Sequence, residues 1–337
     1  MGAASDKRFN GSRVLVTGGL GFIGSTLALR LAEAGADVTV VDALIPGYGG
    51  NKFNLESGLP EAAAKIRVNI SDVRDDHGMN HLVQGADFVF HLAAQVSHVH
   101  SLSDPFLDID INIKGTAVLM EALKKHNKKA VVIRGGTRGQ YGPTSKQPVS
   151  EDAPSNPKGI YEISQLTAEK ILQVYHDIHG VRCVNLRLTN IYGPRAQMQH
   201  HHFGVANWFV RLALEEKEIP IFGDGSIKRD FLYVDDCIDA MLACAGTEKT
   251  YGRVLNVGYG EPVTFKQYAE SLIEVLGHGS WAFKPFSAER AAQEPGDFCS
   301  DITRIRESTG WSPRVKLDDG LRRTTDFYRR HRAHYWS

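Results

Sequence analysis

Val14-Leu15-Val16-Thr17-Gly18-Gly19-Leu20-Gly21-Phe22-Ile23-Gly24 is the stretch that decides the fold of this chain. The apolar run at 14–16 reads as a buried strand. It stops at Thr17, and glycines follow at Gly18, Gly21 and Gly24. The pattern then turns helical, with Leu27, Leu31 and Ala32 on one face. A strand, a glycine turn and a helix start bring backbone N–H groups and the positive end of a helix dipole up to an anion.

Working outward, Val38-Thr39-Val40-Val41 reads as a second strand, and it ends in Asp42. A carboxylate at that point accepts from both ribose hydroxyls of a dinucleotide and repels a 2′-phosphate, which points to NAD. Residues 43–58, rich in Gly and Asn, read as a surface loop over the cofactor edge. Ile66-Arg67-Val68 is a short third strand. Asp72, just after it, can accept from the adenine amino group, cap the helix running through Leu82, or do both. Asp87-Phe88-Val89-Phe90-His91-Leu92 is the fourth strand. It runs into Ala93-Ala94, small enough to leave cofactor room where strands terminate.

Phe106, Ile109, Ile113, Ala117, Met120 and Leu123 recur at helical spacing and predict one long helix over 104–127. Ala130-Val131-Val132-Ile133 is the fifth strand, ending in Arg-Gly-Gly-Thr-Arg-Gly-Gln-Tyr-Gly at 134–142. A Pro/Ser-rich loop covers 143–157, a second long helix 160–179, and a sixth strand 182–188. This alternation predicts an α/β fold built on a doubly wound parallel sheet. From Ile191 the segments shorten. Helices fall near 205–214, 234–245, 265–276 and 317–330, with a strand at 219–222. The expected organisation is a cofactor domain, 1–190, and a smaller mixed α/β substrate lobe, 191–337. Residues 229–260 are candidates to return to the first domain.

Composition narrows the function. The 337 residues carry equal numbers of acidic and basic side chains, for a net charge of +0, which argues against broad nucleic-acid or membrane affinity. No apolar stretch reaches membrane-spanning length, and residues 1–11 are too polar for a signal peptide. Cys183, Cys237, Cys244 and Cys299 lack paired metal spacing and read as reduced structural thiols, as expected of a cytoplasmic protein. His200-His201-His202 do not share a face and read as a polar loop, so no metal is expected. The basic end at 322–334 is interleaved with Phe327 and Tyr328 and reads as an amphipathic helix.

Thr137 ends the fifth strand and Tyr161 starts the next helix. Both hydroxyls can face the crevice beside a nicotinamide. A tyrosine of ordinary pKa, about 10, needs a nearby positive charge to act as a base at neutral pH.

With these residues in view, the chain resembles the extended short-chain dehydrogenase/reductase family. Within it, the likeness is to the NAD-dependent nucleotide-sugar epimerases and dehydratases, nearest the 4-epimerases. It covers nearly the whole chain. It rests on T-G-G-L-G-F-I-G at 17–24, Asp42, H-L-A-A at 91–94, N-I-K-G-T at 112–116 and T-R-G-Q-Y-G at 137–142. It continues through Y-E-I-S-Q at 161–165, R-L-T-N-I-Y-G-P at 187–194, G-D-G-S-I-K-R-D-F-L-Y-V-D-D at 223–236, P-G-D-F-C-S-D-I at 295–302 and G-W-S-P at 310–313. The resemblance implies a Rossmann-type sheet. It assigns Gly18, Gly21 and Gly24, with Phe22 and Ile23 between, to the NAD pyrophosphate, and Asp42 to the adenosine ribose. Asp72 and Val73 would border adenine, Leu92, Ala93 and Ala94 would line the nicotinamide half, and Asn112 would also be cofactor-binding. Thr137 and Tyr161 match the catalytic hydroxyl and base. Asn190 and Arg229 match positions that hold the diphosphate of a sugar nucleotide, a task suited to the planar fork of Arg. The plain alternative for Arg229 is an ion pair with Asp230 or Asp235. The family counterparts of the helices over 104–127 and 160–179 pack between subunits, so a homodimer is expected.

Three departures matter. The family lysine four residues after the tyrosine is Gln165 here, which brings no charge. Three readings stay open: a slow or alkaline-shifted enzyme, a substitute cation such as Arg138 or Lys158, or a binding protein with little turnover. Dehydrating members place Asp-Glu after the threonine, and decarboxylases commonly a Glu. Here Arg138 and Gly139 follow, which disfavours 4,6-dehydration. Glu294 stands where the family often has a second arginine clamp, with Arg290 as its candidate replacement. The expected activity is NAD-dependent C4 epimerisation of a nucleoside-diphosphate sugar, a UDP-hexose or UDP-hexuronate, through a 4-keto intermediate. The alternatives are decarboxylation or dehydration on the same scaffold, or binding of NAD and sugar nucleotide alone.

Overall fold

The computed structural model describes residues 7–286 and 294–336. Seven strands form one parallel sheet: β1 (Arg13–Thr17), β2 (Asp37–Asp42), β3 (Arg67–Ile70), β4 (Phe88–His91), β5 (Val131–Thr137), β6 (Arg182–Leu188) and β7 (Val254–Val257). Their spatial order is β7-β6-β5-β4-β1-β2-β3. Strand order reverses between β1 and β4, so a crevice opens there at the carboxyl ends of the strands. Thr17, which ends β1, lies opposite His91, which ends β4.

Both faces of the sheet are covered, which is why its strands read as near-continuous apolar runs. On one face pack α1 (Phe22–Glu33) and, from the C-terminal half, α6 (Val234–Ala245), through Leu27, Leu31, Ile238 and Met241. On the other lie α2 (Asp76–Leu82), α3 (Gly115–His126) and α4 (Ile160–His179), with Met79, Leu119, Leu123 and Leu172 against Leu15, Val89 and Val132. Side chains of this size contribute about 1.5–3 kcal/mol each when fully buried.

Two glycines of the opening stretch answer to close approach. Gly18 has φ +69°, and a Cβ there would lie 2.7 Å from Ala93 N. A Cβ on Gly24 would lie 2.1 Å from Gly18 O, so the first turn of α1 can press on the loop only as glycine.

The smaller lobe gathers α5 (Val205–Leu214), α7 (Phe265–Leu276) and α8 (Leu317–His331) around Tyr192, Phe209, Phe231, Tyr268 and Tyr328. The boundary at 190/191 is not a clean cut. α6 packs on the sheet and β7 extends it at the edge beside β6. The long helix expected over 104–127 is interrupted. Pro105–Ile109 is followed by a turn of π-helix, Asp110–Lys114, before α3 begins at Gly115. That wide turn carries Asn112 inward, where its amide exchanges hydrogen bonds with the backbone of Gln95 and donates to Ser164 Oγ at 3.0 Å. No described helix is long and apolar enough to cross a membrane.

Candidate active site

A cavity of about 940 Å³ runs along the carboxyl edge of the sheet and under the smaller lobe. One end is the glycine turn. Gly18, Gly21, Phe22, Ile23 and Gly24 line it, and among the described residues no side chain caps the N-terminus of α1 at Gly21. Exposed backbone and an uncapped helix start suit a pyrophosphate. Asp42 faces the same space, its carboxylate accepting from Leu20 N at 3.1 Å and Leu44 N at 2.9 Å. Burial raises its pKa, and those two bonds oppose the rise. Asp72 and Val73 line the wall beyond. Asp72 does not cap the following helix, whose N-cap is Asp75. Instead Arg74 grips it through Nε at 2.9 Å and Nη2 at 2.7 Å, which holds its carboxyl below the usual range.

Leu92, Ala93 and Ala94 line the middle of the cavity. Their backbone is fixed from β1, since Thr17 Oγ1 accepts from the N–H groups of Leu92 and Ala93, both at 3.2 Å. Asn112 is absent from the cavity wall; its contacts with Gln95 and Ser164 make it a strut between the β4 exit and α4.

Thr137 and Tyr161 both line the cavity, the threonine hydroxyl close enough to the phenol to favour its ionised form. Thr137 caps a tight turn over Arg138–Tyr141, accepting from Gly139 N at 3.1 Å while Gln140 Oε1 accepts from Thr137 N at 3.2 Å. Gln140 donates in turn to Glu169 at 2.6 Å, and Arg187 holds Glu169 with bonds of 2.9 and 2.7 Å. The turn that follows Thr137 is thus tied to α4 and β6 by a buried polar network. Burial pushes the Tyr161 phenol well above its ordinary value. The Glu162 charge adds to this, while Thr137 and Arg134 oppose it.

Glu162 and His98 went unnoticed in the sequence. Glu162 lines the cavity beside Gly139, and its Oε1 lies 2.5 Å from His98 Nδ1. The His98 ring stands edge-on to Tyr161, centroids 4.9 Å apart. Burial disfavours the Glu162 charge, but His98 and Arg138 outweigh it and hold the carboxyl below its ordinary range. An acid kept ionised is a poor proton donor to a leaving hydroxyl.

Neither proposed substitute for the family lysine reaches Gln165. Arg138 turns the other way, its Nε donating to Asn190 Oδ1 at 3.1 Å and its guanidinium lying 4.8 Å from the Phe298 ring centroid. Lys158 lines the cavity, but no described hydrogen bond joins it to Gln165. The cation that touches Gln165 is Arg134, whose Nη2 donates to Gln165 Oε1 at 2.6 Å.

At the far end Asn190 and Arg229 line the cavity. Arg229 pairs with neither Asp230 nor Asp235. It bonds Glu294, the Gly296 carbonyl at 2.7 Å and the Lys228 carbonyl at 2.9 Å. Asp230 is committed to backbone N–H groups of Tyr259, Gly260 and Ser300. Arg138 feels the Arg229 charge, so two guanidinium groups converge on this end of the cavity. Arg290 lies outside the described residues. Of the three histidines His201 and His202 line the cavity, and His202 Nδ1 lies 3.1 Å from His100 Nε2.

Comparison with known proteins places the chain in a family. The model of the NAD dependent epimerase/dehydratase family matches residues 14–258. The UDP-glucose 4-epimerase of Mycolicibacterium smegmatis is 34% identical over 321 residues, 94% of this chain and 98% of that protein. The dTDP-glucose 4,6-dehydratase of Streptomyces griseus is 32% identical over 332 residues, 96% of each. The solved UDP-glucose 4-epimerase of Thermotoga maritima with UDP-glucose superposes with a TM-score of 0.85 at 32% identity, covering 95% of this chain and 99% of that one. The fold and the glycine cradle define a Rossmann-type dinucleotide enzyme of the extended short-chain dehydrogenase/reductase type. The chain belongs to the NAD-dependent epimerase/dehydratase family, whose members act on nucleotide sugars, and NAD is its cofactor.

Proposed function

We propose that this protein is a 4-epimerase of a UDP-linked hexose or hexuronate. The observation that carries this reading is that Thr137 and Tyr161 share the cavity wall with Glu162, a carboxyl held below its ordinary range. Tyr161 removes the proton of the C4 hydroxyl, and Thr137 orients that hydroxyl by sharing the hydrogen bond. Bound NAD supplies hydride exchange at C4, so the sugar passes through a 4-keto form. Gly18, Gly21 and Gly24 would hold the pyrophosphate of NAD, and Asp42 its ribose.

Arg138, Arg229 and Asn190 line the far end, and two guanidinium groups there suit the diphosphate of a sugar nucleotide. Glu162 is held ionised, and Arg138 replaces the acid of the dehydrating relatives. Both features favour return of hydride over loss of water. Large apolar side chains exposed beside and along α4 favour a homodimer.

Proton NMR of the purified protein with NAD and either UDP-glucose or UDP-glucuronate tests the reading. Inversion at C4 changes the H4 coupling and leaves the product mass unchanged. A product lighter by water or carbon dioxide would replace epimerisation with dehydration or decarboxylation. Binding without conversion would favour a nucleotide-sugar binding protein.

A further inference from the structure

Gln165 sits one helical turn after Tyr161, where the family resemblance implies a lysine whose charge would lower the tyrosine pKa and whose ammonium would bond the nicotinamide ribose. Its side chain is 2% exposed, yet it lines the cavity. Alternation along β5 sends Val132, Arg134 and Gly136 toward α4, and Arg134, 3% exposed, ends under Gln165. Nη2 donates to both oxygens of Gln165, at 2.6 Å to Oε1 and 3.1 Å to the carbonyl.

We propose that Arg134 and Gln165 divide the work of that single lysine. Arg134 is a positioning residue that fixes the Gln165 carboxamide and supplies the permanent positive charge, while Gln165 Nε2 donates to the nicotinamide ribose. The inference rests on the NAD-binding reading of the cavity and does not depend on which sugar is bound.

Four observations support it. A guanidinium only donates, so the amide oxygen must face Arg134 and the Nε2 hydrogens are left for the cavity. Arg134 and Tyr161 are close enough that each charge acts on the other. Burial lowers the Arg134 pKa only to about 10, so it stays charged at neutral pH. The acid that most stabilises that charge, Glu169, is already held on both oxygens by Arg187, so the Arg134 charge is not neutralised by an ion pair of its own. Room for the group comes from Gly136, where a Cβ would lie 2.8 Å from Arg134 Nη1. Nη1 itself is buried with no hydrogen-bond partner among the described residues. A guanidinium brought in from the strand therefore takes the place of an ammonium brought in from the helix. The two cannot coexist comfortably, which accounts for glutamine at 165.

The test is the pair exchange Arg134→Met, Gln165→Lys and the double variant, each checked for folding by circular dichroism. NAD affinity is measured by calorimetry, and the pH profile of kcat is measured on the substrate that turns over. Arg134→Met should weaken NAD about tenfold, the scale of one lost well-placed hydrogen bond. It should also move the rising limb of the pH profile upward by about one unit. The double variant should restore both toward wild type, which a merely structural role for Arg134 would not allow. Unchanged NAD affinity and an unmoved limb in Arg134→Met overturn the proposal. If Arg134→Met does not fold, Gln165→Leu decides, since it keeps the charge and removes the donor. It should weaken NAD about tenfold with the pH limb in place, and unchanged affinity overturns the proposal. If no sugar nucleotide is converted at all, the calorimetry still reads the division of labour, so failure of the epimerase assignment and of this inference are told apart.

Discussion

Glu162 Oε1 and His98 Nδ1 lie 2.5 Å apart, one residue along α4 from the Tyr161 that the carboxylate charge disfavours as a phenolate. Burial is the larger reason the Tyr161 pKa is high, and Glu162 is the next. Only the deprotonated phenol can take a proton, so turnover rises as pH rises toward that pKa. Glu162→Gln removes the negative charge, lowers the Tyr161 pKa and moves the rising limb of kcat to lower pH, by about half to one unit. A limb that stays in place would show that the two groups are not coupled.

The proposed reacting pair, Thr137 and Tyr161, has a separate signature. Tyr161→Phe should lower kcat by about a thousandfold, the scale of general base catalysis, and Thr137→Val by about tenfold to a hundredfold. Neither group is assigned to holding NAD, so calorimetry should give wild-type NAD affinity for both. A Tyr161→Phe enzyme that retained most of its turnover would require a different base, and His98 would be the first group to test.

Arg229 is held by Glu294 before any substrate arrives, so a diphosphate must compete with a carboxylate for it. Arg229→Met should weaken UDP about a hundredfold by calorimetry while leaving NAD binding unchanged. Glu294→Gln should act the other way, tightening UDP about threefold to tenfold by releasing the fork. If UDP affinity ignores both changes, the diphosphate lies elsewhere in the cavity.

Much of this could be read from the chain, and the gaps have a common cause. The glycine stretch, the six strands through Leu188 and the helix at Ile160–His179 are local patterns of burial and spacing, and the structure has them where periodicity puts them. The π turn at Asp110–Lys114 did not show, because the apolar spacing of Ile109, Ile113 and Ala117 runs through it unchanged. β7 was hidden because a four-residue edge strand far along the chain carries little pattern of its own. Arg134 was missed for a different reason. It looks like a flaw in a buried strand until the tertiary fold puts Gln165, thirty-one residues on, against its Nη2. The partnership of Arg229 with Glu294 likewise spans sixty-five residues. Long-range pairs between charged groups leave no periodicity, so the residues that tune this site are the ones sequence spacing shows least.

His91 gives a stability prediction. It is buried between Thr17 Oγ1 at 2.9 Å and Thr116 Oγ1 at 3.0 Å, and burial together with Arg134 pushes its pKa down to about 3. The unfolded chain, with an ordinary histidine near 6.5, binds the proton first. Stability is therefore full above about pH 6.5 and falls as pH drops toward 3, by up to about 1.4 kcal/mol per unit from this group. His91→Asn should flatten the acid slope of the urea midpoint between those limits. An unchanged slope would mean that His91 charges inside the folded protein.

The outer face of α4 leads to a prediction about assembly. Ile163, Val174 and Ile178 are exposed on one stripe, since eleven and then four residues are close to whole helical turns. Phe106, 80% exposed on the neighbouring helix Pro105–Ile109, extends the patch. Both helices also carry the supports of the site. Asp108 accepts from Ser164 at 2.5 Å, and Ser164 accepts from the Asn112 strut. A second copy covering this face would bury the apolar stripe and stiffen the frame that holds Tyr161 and Gln165. Light scattering should give twice the mass of one chain. Phe106→Glu with Ile178→Glu should halve that value and lower kcat about threefold to tenfold, with NAD affinity less affected. A wild-type protein that weighs one chain at working concentration removes the dimer. The Asp108–Ser164–Asn112 frame would then have to hold the helix unaided.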